Sequence, residues 1–123
     1  VDDDPFYLDL IPSILADDPD YKVFVAATGF DAGAMVVEHN PHIVILDIHL
    51  TDVDGRMVCE RVKSRPETRA TRVLAISGYL DDAEAAELAH FGFDHYLKKP
   101  LSVDEVRERV RSLLPDSCRR ILG

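Results

Sequence analysis

Apolar residues alternate along this chain between helical spacing and short unbroken runs. Phe6, Leu10 and Ile14, with Leu8, Ile11 and Leu15, recur at helical intervals from Phe6 to Ala16. Pro5 suits the first turn of that helix, whereas Pro12 falls in its middle, where the missing N–H predicts a bend. Asp17-Asp18-Pro19-Asp20 is a turn cluster, and Lys22 to Ala27, rich in Val and Phe, predicts a short strand. Asp31 to His39 is helical again. Asn40-Pro41 stops it, because Asn tolerates the left-handed conformation and Pro forbids continuation.

His42 to Asp47 carries Ile43-Val44-Ile45-Leu46, the unbroken β-branched pattern of a strand covered on both faces. A polar loop from Thr51 to Gly55 leads into a helix from Arg56 to about Arg65, ended by Pro66. Val73-Leu74-Ala75-Ile76 predicts a second buried strand, followed by Ser77-Gly78. Asp81-Asp82 favours a helix start through the dipole, and Gly92 closes that helix. Asp94 to Leu97 is a short strand. Ser102-Val103-Asp104-Glu105 is a capping box opening a last helix, with Val103, Val106, Val110 and Leu113 on one face.

Strand and helix therefore alternate with short connections, which predicts an α/β doubly wound parallel sheet with helices on both faces. The chain opens with Val1 and at once an acidic stretch, Asp2-Asp3-Asp4-Pro5. If that stretch is the loop after a buried strand, the first strand lies largely upstream of Val1.

Composition narrows the function. The 123 residues suffice for one domain with one sizeable core. A formal net charge of −9 argues against gripping a nucleic-acid backbone. No apolar run approaches the roughly 20 residues that span a bilayer, and no signal peptide is visible; with no disulfide framework in the cysteine pattern, a reducing cytoplasm is the expected setting. Cys59 and Cys118 lack metal or disulfide spacing and read as structural thiols. His39, His42, His90 and His95 show no paired ligand spacing and read as surface or structural residues. Arg107, Arg109, Arg111, Arg119 and Arg120 make the C-terminal end locally basic, a pattern typical of a solvated helix face.

In doubly wound folds ligands bind beyond the carboxyl ends of the strands. At those ends stand Asp2-Asp3, Asp47, Ser77 and Lys99. Adjacent carboxylates in a cleft repel unless cations neutralise them, and Lys99 supplies only one charge. A hard, oxygen-loving ion such as Mg²⁺ would supply the rest.

Five separated motifs carry a family resemblance: Val1-Asp2-Asp3-Asp4-Pro5, Ile43-Val44-Ile45-Leu46-Asp47, Asp54-Gly55, Ile76-Ser77-Gly78 and Tyr96-Leu97-Lys98-Lys99-Pro100. Together they resemble the CheY-like response-regulator receiver domain of two-component signalling, over nearly the whole chain. The resemblance implies five parallel strands in the order 2-1-3-4-5, with a receiver domain over 1–115 and a tail or linker over 116–123. It also implies a phosphorylation switch rather than an enzyme, with self-catalysed transfer and slow autodephosphorylation. Asp47 is similar to the phosphoacceptor, and Ser77 and Lys99 to the groups that bind phosphoryl oxygens. Asp3, with Asp2 helping largely through water, Asp47 and the His49 backbone carbonyl would hold Mg²⁺ or Mn²⁺. Tyr96 resembles the aromatic switch residue. His49 and Tyr79 resemble the residues bordering the path of the hydrolytic water, where their rings are expected to slow phosphoryl loss. Implied partners are a sensor histidine kinase or phosphotransfer protein, an output domain or protein of unspecified kind, and a second copy docking through the last two helices and their strand.

Two rival readings fail on residues. Asp52-Val53-Asp54-Gly55 echoes a calcium loop, but Leu50 and Arg61 stand where its first and last ligands belong. Ile45 to Thr51 resembles the nucleophile motif of haloacid-dehalogenase-type phosphatases, but His49 replaces their second aspartate and the chain has no length for a cap. A non-catalytic module of the same fold is disfavoured by the intact acid, hydroxyl and lysine set.

Overall fold

The structure, a computed structural model, describes residues 1–115. Three strands, β1 (Ile43–Asp47), β2 (Arg72–Ser77) and β3 (His95–Lys98), form a parallel sheet in the order β1-β2-β3. Five helices surround it: α1 (Pro5–Leu15), α2 (Gly29–His39), α3 (Gly55–Ser64), α4 (Asp82–His90) and α5 (Val103–Leu113). This is the expected doubly wound α/β class.

Side-chain alternation divides the core between the two faces. Val73 and Ala75 of β2 join Val44 and Leu46 of β1 against α2, α3 and Leu88 of α4. Leu74 and Ile76, the intervening residues, join Leu97 against α1 and α5. Burial on both faces explains why these runs are continuously apolar. Helix α1 continues through Pro12, which is tolerated within it. Four helices start on a side-chain cap that accepts a backbone N–H, from Asp4, Thr28, Asp54 and Asp81, and Ser102 does the same for α5. On α5 the buried stripe is Val106, Val110 and the following Leu114, whereas Val103 is largely exposed. The expected stripe started one turn too early, because the capping turn stands clear of the sheet.

The expected strand from Lys22 to Ala27 is not formed, so three strands are present among the described residues where the resemblance implied five. A strand requires a ladder, and only Val1 and Asp2 reach between this segment and β1. The Val1 amine donates to Ile45 O and Asp47 N–H donates to Val1 O, while Asp2 N–H donates to Ala26 O on the other side. Those bonds pair Val1 with β1 in the parallel sense. Behind it lies an apolar cavity of about 430 Å³ lined by residues that include Ile43, Ile45, Val25, Val36, Ile11 and Leu114.

Candidate functional site

The site forms at the carboxyl edge of the sheet, where each strand ends in a polar residue. Asp47 closes β1 and Ser77 closes β2, and both are buried. Lys99 follows β3 directly, its N–H donating to Ser77 O at 2.7 Å, with a cis peptide to Pro100. Asp2 and Asp3 enter from the start of the chain, held beside β1 by the bonds of Val1.

Lys99 ties the acids together. Its Nζ lies 2.8 Å from Asp2 Oδ2 and 3.1 Å from Asp47 Oδ2. It also sits 4.2 Å from the centre of the Tyr7 ring, a cation–π contact. Burial opposes the lysine charge, but its bonds to Asp2 and Asp47 prevail and raise its pKa. Burial raises the pKa of the Asp2 carboxyl, against the pull of Lys99 and the Asp4 N–H.

Asp2, Asp3 and Asp47 each offer a carboxylate oxygen, and those three oxygens lie within 4.8 Å of one another. The other acceptor positions are partly committed. Asp2 Oδ1 accepts from Asp4 N–H, Asp3 Oδ2 from Thr51 N–H, and Asp47 Oδ1 from His49 N–H. Asp2 Oδ2 is fully buried and faces the Lys99 ammonium at 2.8 Å. Three clustered carboxylates with one lysine between two of them leave negative charge in excess, the donor set a hard divalent cation requires, so these residues fit Mg²⁺.

Ser77 faces elsewhere. Its hydroxyl donates to Tyr79 O at 2.5 Å and accepts from Tyr79 N–H at 3.2 Å, a turn closed on itself. Tyr96, at 41% relative exposure, is outward. Tyr79 is also exposed, whereas the half-exposed His49 ring faces Glu84 at 3.8 Å. The structure thus brings Asp2, Asp3, Asp47 and Lys99 together, whereas the Ser77 hydroxyl is bonded within its own loop and Tyr96 is exposed.

Sequence reasoning missed Tyr7, Thr51 as a backbone donor, and Glu84. Tyr7 lies in an apolar helical pattern and Glu84 in a helix's first turn, so neither carries a local signal. Outside the site, His39 stacks on Phe24, His90 meets Phe91 edge-on, and His95 contacts Arg109. None of them joins a metal-ligating cluster among the described residues. Cys59 is buried, with its thiol pKa pushed up to about 12 by burial, which fits an inert structural role. Arg107 pairs with Asp17. Cys118, Arg119, Arg120 and the expected tail over 116–123 lie outside the described residues. No helix among the described residues is long and apolar enough to cross a membrane.

Comparison with known proteins accords with this geometry. Residues 1–111 match the response regulator receiver domain family. The chain is 35% identical over 114 residues, 93% of its length, to the DNA-binding dual master transcriptional regulator RpaA of Synechocystis, and spans 47% of that regulator. It is 28% identical over 97 residues to the polar-differentiation response regulator DivK of Brucella ovis, covering 79% of each chain. Among solved structures it resembles the signal receiver domain of a DNA-binding response regulator from Colwellia psychrerythraea, at a TM-score of 0.85 and 29% identity. That likeness covers 91% of this chain and 92% of the other.

Proposed function

Since the chain belongs to the response-regulator receiver family of two-component signalling, we propose that Asp47 is its phosphoacceptor and that residues 1–115 work as one phosphorylation switch. The gathering of three carboxylates, two of them paired with Lys99, supports this reading most. The donor is a phosphohistidine of a sensor kinase or phosphotransfer protein, or a small acyl phosphate. An Asp47 carboxylate oxygen attacks phosphorus, the bond from phosphorus to the donor breaks, and the donor leaves with that electron pair. A carboxylate is itself the nucleophile, so no general base is needed.

What the reaction needs is relief of charge as one anion approaches another. Lys99, already 3.1 Å from Asp47, supplies part of it. Asp2, Asp3 and Asp47, with the His49 carbonyl, would hold Mg²⁺ or Mn²⁺, whose positive charge, when bound, draws phosphoryl oxygens toward the acceptor. Asp3 takes the direct role, since Asp2 is committed to Lys99 and to the Asp4 N–H. Loading Asp47 offers Ser77 a charged acceptor in place of the Tyr79 carbonyl. Tyr96 then has reason to turn inward with the loop, changing the face made by α4, β3 and α5. That face would meet an output domain, a protein partner or a second copy. The half-length match to a transcriptional regulator supports an output domain beyond this one; residues 116–123 would serve as a tail or linker to it.

Intact mass after incubation with acetyl phosphate and Mg²⁺ tests the proposal. One phosphoryl group is expected on the native chain and none on Asp47→Asn. Equal modification of both would refute the assignment.

A further inference from the structure

Burial does little to hold helix α4. Leu88 is its one buried residue, and its charged residues before His90, namely Asp82, Glu84 and Glu87, are all acidic. Helix α3 is seated more firmly. Its first residue, Gly55, donates its N–H to Ile48 O at 3.0 Å and leaves no room for a Cβ beside Asp47 O. The start of α3 therefore rests on the backbone that carries Asp47.

The next residue joins the two helices. Arg56 directs Nε and Nη2 to Oδ2 of Asp54, the α3 cap, at 3.2 and 2.8 Å. Its Nη1 lies 3.7 Å from Glu87 Oε2 of α4. Its guanidinium carbon stands 5.9 Å from the ring centre of Phe91, the C-cap of α4, which packs partly buried against the core. The Asp54 bonds raise the Arg56 pKa, and the charges of Glu87 and Glu84 act in the same direction. Among the described residues, no other lysine or arginine comes within ion-pair distance of an α4 carboxylate.

An isolated ion pair at a partly exposed site contributes little. Here the bonds to Asp54 already fix the planar fork, so little side-chain freedom remains to be lost in meeting Glu87 and the Phe91 ring. We infer that Arg56 is a positioning residue that fastens α4 to the loop carrying Asp47, bridging Asp54 to Glu87 and Phe91, and so governs how a change at Asp47 reaches α4. The regulatory half rests on Asp47 being the acceptor, whereas the fastening stands without it. Loss of the guanidinium frees α4 selectively, because Asp54 also accepts the backbone N–H of residue 56, at 2.9 Å, and the α3 cap survives.

Backbone hydrogen exchange over residues 82–90 and 72–77, before and after treatment with acetyl phosphate and Mg²⁺, tests the inference. In the unmodified chain Arg56→Ala is expected to speed exchange in α4 by about threefold or more, as for a lost side-chain coupling, with β2 staying within about twofold of native. Glu87→Gln should speed α4 in the same direction and add nothing once Arg56 is replaced. By intact mass Arg56→Ala should still take up a phosphoryl group, but the response of α4 to that modification should shrink. Unaltered α4 exchange in Arg56→Ala, equal acceleration in β2, or a full Glu87→Gln effect without Arg56 would overturn the fastening. A response of α4 to modification as large in Arg56→Ala as in the native chain would overturn its regulatory role. Failure of the native chain to take up a phosphoryl group that Asp47→Asn lacks would instead overturn the acceptor assignment, while the exchange results on the unmodified chain still decide the fastening.

Discussion

The Ser77 hydroxyl donates to the Tyr79 backbone carbonyl at 2.5 Å. That bond closes the loop after β2 on itself and holds its proton away from Asp47, while Lys99 occupies the acid side of the site. A charge-assisted bond to a phosphoryl oxygen contributes about 1.5–3 kcal/mol, against about 0.5–1.5 for a neutral one. On the proposed loading of Asp47, that exchange would favour movement of the loop.

Ser77→Ala should accordingly uncouple modification from response. Acetyl phosphate is expected still to modify Asp47. The change in backbone hydrogen exchange between residues 78 and 90 that modification causes in the native chain should be lost. A variant that responds as fully as the native chain would argue that Ser77 is not the reporting group.

Cation binding should stabilise the fold. At a hundredfold excess over its dissociation constant, Mg²⁺ should add about 2.7 kcal/mol to unfolding free energy, and Asp3→Ala should lose most of that gain in denaturant titrations. Because burial raises the Asp2 pKa above its ordinary 3.8, protons compete with the cation from a higher pH than at a free carboxylate. Affinity is therefore expected to fall as pH drops through that raised value.

Removing Lys99 should leave Asp2 and Asp47 facing each other without compensation. Lys99→Met is expected to cost about 3 kcal/mol in metal-free buffer, as for other broken buried pairs, and Mg²⁺ should restore part of it. Urea denaturation with and without Mg²⁺ measures both.

Gly55 is a packing constraint on the loop that carries Asp47. A Cβ there would lie 2.5 Å from Asp47 O and 2.6 Å from Ile48 Cα, both backbone atoms that cannot step aside. Gly55→Ala should destabilise the chain by about 2 kcal/mol or more and slow Asp47 modification, because relief requires moving the acceptor loop.

Asp94 offers a pH test away from the site. Its carboxylate accepts from Lys63, Arg72 and the Val73 N–H. Burial alone would raise its pKa, but these bonds together hold it below the usual range. A depressed pKa contributes stability that is fully present above the ordinary value of 3.8 and lost as pH falls through the folded one. Asp94→Asn should therefore cost about 1.5–3 kcal/mol at neutral pH and progressively less in acid, measured by denaturation across pH.

Much of this molecule is written along the chain because its signals are local. Ile43 to Leu46 and Val73 to Ile76 are apolar without interruption and β-branched-rich, and so read as strands covered on both faces. Asn40, with φ of 44°, and Gly92, with φ of 98°, end their helices where left-handed backbone is needed. Once strands and helices alternate, the polar residue ending each strand must fall at one edge, which is why Asp47, Ser77 and Lys99 could be named together. The segment from Lys22 to Ala27 shows the limit: its β-branched residues suit a strand, but a ladder depends on what lies alongside.

Only tertiary structure decided how those side chains are shared. Nothing near Lys99 in the chain says that it bridges Asp2 and Asp47 beneath the Tyr7 ring, or that Glu84 faces His49. Nor does the Ser77-Gly78-Tyr79 stretch reveal that the hydroxyl folds back on its own loop. Composition and periodicity encode which face a residue is on, whereas a bond between distant polar groups depends on a few ångströms of packing that no local pattern carries.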